Sequence, residues 1–248
     1  MDAALEGKVC LVTGAAGVVG GAIGRRFAGL GCRVVLVDIK GDRIAEIADE
    51  LGQMACALPM DISDEAAVTR GMDSLGEGWR DIDILVNNAG ILTNNKAAAT
   101  SGEEWRRVLA VNLDGAFYLA RACLPAMRRK RWGRIINLCS LAMKTGGLTA
   151  GTAYTTSKSA LGGLTFSLAR ETAADGITVN GIAPAYIVTP MVTEQLTQEQ
   201  RDQLIAAIPV GRFCEASEVA HVAAFLASPE SGFITGEIID INGGLHLD

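Results

Sequence analysis

Short apolar runs alternate with amphipathic stretches along the whole chain. Seven runs read as strands, over 8–12, 33–38, 54–59, 82–87, 134–139, 178–182 and 237–241. Most are rich in Val, Ile and Leu and apolar on successive residues, the mark of strands covered on both faces. Between them the 3.6-residue spacing predicts helices over 20–30, 44–51, 66–75, 103–128, 153–174 and 217–227. This alternation, joined by right-handed crossovers, implies an α/β fold: a doubly wound, seven-stranded parallel sheet between two helical layers. No repeat, low-complexity tract or linker interrupts it, so one domain is expected over 1–248. One stretch breaks the rhythm. Residues 183–215 hold Pro184, Pro190 and Pro209 around a helix expected over 198–207. A long insertion at the C-terminal edge of such a sheet is expected to border a substrate pocket.

Composition narrows the classes. The 248 residues are 49% hydrophobic but only 5% aromatic, with 29 glycines, which suits helices packed closely on a sheet. A net charge of −6 argues against nucleic acid or an anionic membrane as the partner. No apolar run approaches the ~18 residues of a membrane span, and no basic segment precedes the first strand, so no signal peptide is expected. Cys10, Cys32, Cys56, Cys123, Cys139 and Cys214 form no CxxC pair and no zinc-ligand spacing. They read as reduced, packed thiols of a cytoplasmic protein, and no metal is expected.

The first strand runs into Thr13-Gly14-Ala15-Ala16-Gly17-Val18-Val19-Gly20, with a helix behind it. A glycine-rich turn between strand and helix lets the backbone approach a pyrophosphate, and the helix N-terminus offers N–H donors. Asp38 closes the second strand, placed to accept hydrogen bonds from the adenosine ribose and to repel a 2′-phosphate. Ile39 follows it and no cation stands at 15–18, so the residues point to NAD rather than NADP, with Lys40 as the one cation that could favour NADP. Asp61-Ile62 ends the third strand, where it could meet the adenine, although an N-cap role for Asp61 competes. Asn87-Asn88-Ala89-Gly90 ends the fourth with small residues that let a nucleotide lie close.

Tyr154 and Lys158 stand four apart at the start of a helix and so share a face. A lysine cation there is expected to lower the tyrosine pKa and suit it to proton transfer. Ser140 adds a hydroxyl just after the fifth strand, and Asn112 sits within the helix expected over 103–128.

Thr13–Gly20, Asn87–Gly90, Asn112, Ser140 and Tyr154–Lys158 occur in an order and spacing that resembles the short-chain dehydrogenase/reductase family, in its compact single-domain, Rossmann-type form. The resemblance covers essentially the whole chain. It implies Tyr154 as general acid/base, Lys158 as its partner and a ligand of the nicotinamide ribose, Ser140 orienting the substrate oxygen, and Asn112 holding a relay water. It also implies that Pro184, Ile187 and Thr189 meet the nicotinamide and that helices 103–128 and 153–174 build a homotetramer. Two positions depart from the family pattern: Val18 replaces the middle glycine of the turn, and Pro184 is followed by Ala185 instead of glycine.

The expected activity is NAD(H)-linked interconversion of a secondary alcohol and a ketone. Alternatives are an NADPH-dependent 3-oxoacyl-thioester reductase, which needs a phosphate-binding cation and a basic patch, and a non-catalytic nucleotide sensor or scaffold, which typically lacks the Tyr or Lys. The expected pocket lining of Leu92, Ala142, Met143, Leu148, Tyr186 and Met191 is mostly apolar and favours a lipophilic small molecule over a free sugar. His221 and the run Arg128–Arg131 are expected on solvated faces.

Overall fold

The computed structural model describes residues 5–189 and 197–247. Seven strands, β1 (Val9–Thr13), β2 (Arg33–Asp38), β3 (Ala55–Pro59), β4 (Ile84–Asn87), β5 (Gly133–Leu138), β6 (Ile177–Pro184) and β7 (Ile238–Ile241), form one sheet in the order β3-β2-β1-β4-β5-β6-β7. Every pairing is parallel. The strand order reverses between β1 and β4, which opens a crevice beyond their C-terminal ends, where ligands bind in such sheets.

Nine helices surround the sheet among the described residues: α1 (Val18–Ala28), α2 (Gly41–Leu51), α3 (Glu65–Ser74), α4 (Gly102–Leu109), α5 (Gly115–Lys130), α6 (Ala142–Thr145), α7 (Thr152–Thr172), α8 (Gln198–Ala207) and α9 (Ala216–Ala227). Successive strand residues face opposite layers. Val34 and Leu36 pack with Ile23, Phe27, Ile44, Ile47, Val219 and Leu226 of α1, α2 and α9. Val35 and Val37 pack in the other layer, with Val68, Met72, Leu119, Met127 and Leu168 of α3, α5 and α7. Covered on both sides, β1, β4, β5 and β6 are buried at every residue, whereas the edge strands β3 and β7 are half-buried.

The helix expected over 103–128 is two helices. A π turn at Ala110–Asp114 joins α4 to α5 and adds one residue to the winding. It carries Asn112 inward, to 1% exposure. The basic run after it is neutralised locally: Arg128 pairs with Glu171 and Asp175, Arg129 with Asp81, Lys130 with Asp83, and Arg131 with Asp175. His221 is exposed on α9. Among the described residues, no helix is long and apolar enough to cross a membrane, and no group of three His, Cys, Asp or Glu is placed to hold a metal.

Candidate active site

The turn after β1 is closed by its glycines. Gly14 has φ +66°, and a Cβ there would stand 2.8 Å from the Cα of Ala89. A Cβ on Gly20 would run into the Gly14 carbonyl, so α1 can pass this close only without a side chain. Gly17 is the N-cap of α1, and no side chain caps the helix or places an acid in its first turn. The first-turn N–H groups therefore point into the crevice beside a positive helix end, the chemistry an anionic pyrophosphate needs. Val18 is the first helical residue and is 46% exposed; its side chain leaves the backbone of the turn in place.

Thr13 locks this turn to the end of β4. Its hydroxyl accepts the N–H groups of Asn88 and Ala89 at 3.0 and 2.9 Å, and the Asn88 amide donates to the Thr13 carbonyl at 2.8 Å. Asp38 ends β2 with Oδ2 accepting the Ala16 N–H at 3.1 Å and Oδ1 accepting that of Lys40 at 3.0 Å. The carboxylate is thus held against the glycine turn, while Ile39 beside it is 71% exposed. Asp61 is exposed and accepts from the N–H and hydroxyl of Ser63, and the N-cap of α3 is Asp64. Ile62 is buried against α5, where a Cβ on Gly115 would touch it at 2.8 Å. Its side chain belongs to the core, which leaves only its backbone free to face a nucleotide.

Ser140, Tyr154 and Lys158 meet at the floor of a cleft of about 330 Å³, lined also by Val19, Asn88, Gly90, Pro184, Ile187 and Thr189. The Ser140 hydroxyl stands beside the Tyr154 phenol in the cleft and accepts the Ala142 N–H at 3.1 Å. The Lys158 ammonium donates to the Leu138 carbonyl at 2.6 Å and lies 5.8 Å from the Tyr154 ring centroid. Asn112 accepts the Ile91 N–H at 2.8 Å and donates to the Ile91 carbonyl at 3.1 Å and to the Ser157 hydroxyl at 2.9 Å. Its side chain thereby ties the π turn to the chain after β4 and to α7.

A family model described as enoyl-(acyl carrier protein) reductase matches residues 14–246. The 3-oxoacyl-[acyl-carrier-protein] reductase of Haemophilus influenzae is 38% identical over 243 residues, 98% of this chain and 100% of the relative. That of Escherichia coli is 39% identical over 244 residues, 98% of each. Among solved structures, a 3-oxoacyl-[acyl-carrier protein] reductase from Brucella melitensis superposes with a TM-score of 0.94 at 35% identity, over 100% of this chain and 94% of that one. A putative NAD(P)-dependent gluconate 5-dehydrogenase from Beutenbergia cavernae, with NADP bound at low occupancy, does so with 0.91 at 36% identity, over 97% of each.

The chain belongs to the short-chain dehydrogenase/reductase family. The glycine turn has the form that fits the pyrophosphate of the family's nucleotide cofactor. Ala185, the second departure, has ordinary backbone angles, since Arg131 is the one non-glycine residue with positive φ among those described. It donates its N–H to Ile241, and Ile187 bridges to Cys214, so the segment after β6 is tied down without a glycine.

Two expectations are corrected. Burial pushes the Tyr154 phenol above its ordinary value, and among its neighbours only the Ser140 hydroxyl draws it down. Lys158 does not supply that pull, because burial weakens its own charge, bringing its pKa down to about 8. Met143 does not line the cleft. It packs with Leu161, Ala183 and Ile238 under α7, and Leu141, Thr145, Thr149 and Leu245 join Leu92, Ala142, Leu148 and Tyr186 in the wall instead. Pro190 and Met191 lie outside the described residues. Cys139 is a packed strand-end residue, with its thiol pushed up to about 11 by burial. Thr13 was not foreseen as a site residue. Its place directly before the glycine turn was the available signal.

Proposed function

We propose that this chain interconverts a secondary alcohol and a ketone, with Tyr154 as the proton carrier. The observation that carries the reading is the convergence of Ser140, Tyr154 and Lys158 on one cleft floor beside the glycine turn. A nicotinamide nucleotide bound there supplies or takes the hydride. Tyr154 gives its phenolic proton to the carbonyl oxygen in reduction and accepts the hydroxyl proton in oxidation. Ser140 orients the same oxygen through its hydroxyl. Lys158 holds the nicotinamide ribose, and Asn112 keeps the segment after β4 and α7 in register. Gly14, Gly17, Val18, Val19, Gly20, Asp61, Ile62, Asn88, Ala89, Gly90, Pro184, Ile187 and Thr189 complete the nucleotide site.

For the cofactor, Asp38 favours NAD(H), since a carboxylate pinned by two backbone N–H groups would face a 2′-phosphate. The NADP in the Beutenbergia neighbour supports the other choice, and separate titration with NADH and NADPH decides. For the substrate, a 3-oxoacyl thioester is the class that the relatives' names support best, and the apolar cleft wall suits an acyl chain. The paired state of Arg128–Arg131 argues against that run as the landing site of an acidic carrier. The test compares a short 3-oxoacyl thioester with alicyclic, aryl and sugar-acid substrates in both directions, followed at the NADH absorbance. Tyr154→Phe is expected to lower kcat by at least about 10³-fold, within the range of positioned proton transfer, with NADH affinity retained. Full turnover in that variant sinks the mechanism.

The same reading takes 1–248 as one catalytic unit, with 183–215 bordering the substrate, in a cytoplasmic homotetramer. The six free thiols and the exposed Phe117 and Phe166 on α5 and α7 support it.

A further inference from the structure

Residues 91–96 follow β4 and run beside 147–152, which lead into α7. Two backbone bonds join these segments: the Gly151 N–H donates to Thr93 at 2.7 Å and the Thr152 N–H to Asn95 at 3.0 Å. A third connection is of a different kind. The Lys96 ammonium donates to the carbonyls of Gly147 and Ala150 at 2.8 and 2.7 Å. Two carbonyls three residues apart thus converge on one cation, which fixes the curl of the chain between them.

That curl is part of the cleft. Gly147, Leu148, Thr149 and Ala150 all line it, whereas Lys96 does not. The four residues lie between α6 and α7 and belong to neither, so no helical ladder holds them. Leu148 is 69% exposed, which leaves little burial to fix it. Charge-assisted bonds are the stronger kind, and here they grip the wall from behind. On the cleft side Thr149 reaches only a long 3.5 Å contact with the Tyr186 hydroxyl.

We propose that Lys96 is a positioning residue that sets substrate affinity by holding the 147–150 wall, without moving a proton. The proposal rests on the reading of this cleft as the site of ketone and alcohol chemistry. It assigns the effect to KM because Tyr154 has anchors of its own. The start of α7 keeps its backbone bonds to Thr93 and Asn95, and Asn112 still holds Ser157, when the ammonium is removed.

Lys96→Met keeps the aliphatic stem and loses the donors; Lys96→Arg keeps donors and charge. Three measurements compare them with the unmodified protein: hydrogen exchange of the peptide spanning 146–152, initial rates over the substrate panel, and NADH binding by fluorescence. Lys96→Met is expected to speed exchange of the 147–150 amides and to raise KM, each about tenfold, the scale of a lost hydrogen bond to a charged group. Its kcat should stay within about twofold and its NADH affinity should not change. Lys96→Arg should recover most of both losses. Unchanged exchange overturns the proposal, as does faster exchange with an unchanged KM, or a fall in kcat at constant KM. If the unmodified protein turns over no member of the panel, the parent reading fails, and the exchange result alone decides whether Lys96 holds the wall.

Discussion

Lys158 is a charge kept where water does not reach. Burial brings its pKa down to about 8, against about 10.4 in an unfolded chain. Between those values the unfolded chain binds the extra proton, so stability rises with pH from about 8 to about 10. Below about 8 both states are protonated and the burial cost is constant, of the order of 3 kcal/mol. Lys158→Met is therefore expected to raise the melting temperature at pH 7 and to flatten the stability profile between pH 8 and 10. It should also abolish turnover. Thermal unfolding across that pH range checks the sign, and a melting temperature lowered at pH 7 contradicts it. Asp38 belongs to the same scale. Asp38→Asn removes the charge and keeps the shape, so it is expected to tighten NADPH binding relative to NADH by at least about tenfold, the worth of roughly 1.4 kcal/mol, in parallel titrations.

At the scale of elements, the π turn and the glycine turn are what turn a common sheet into a site. Asn112 satisfies both backbone groups of Ile91 and reaches Ser157. Asn112→Ala orphans those groups and is expected to cost about 2–4 kcal/mol, the sum of lost bonds and unpaired backbone, read from the denaturant midpoint. Gly20→Ala puts a methyl group into the Gly14 carbonyl. It is expected to weaken nucleotide binding more than tenfold while circular dichroism stays unchanged, since the clash is local to the turn. Both turns bear on what a sequence shows. The glycine turn was legible because its chemistry sits in eight consecutive residues. The π turn was not, because one added residue hardly disturbs a 3.6-residue pattern, and the helix read as continuous from 103 to 128. Met143 was misplaced for a related reason: α6 has only four residues, too few for a period to say which side faces the cleft.

For the whole molecule, Phe117 and Phe166 remain 41% and 51% exposed on α5 and α7, the helices that the proposed tetramer would pair. Phe117→Glu with Phe166→Glu is expected to shift sedimentation towards smaller species, with the sheet intact by circular dichroism. A monomer in the unmodified protein refutes the tetramer. The sequence alone determined the strand–helix alternation, the parallel sheet, the nucleotide turn and the Tyr154–Lys158 pair, because each is written in local spacing or in burial on both faces of a strand. Only the tertiary structure decided what crosses the chain. It set Thr13 against Asn88, drew Asn112 to Ile91, put Lys96 behind the 147–150 wall and made burial, rather than the lysine, govern the Tyr154 phenol. Those contacts join segments 20 to 75 residues apart, and no local pattern encodes the distance that folding closes between them.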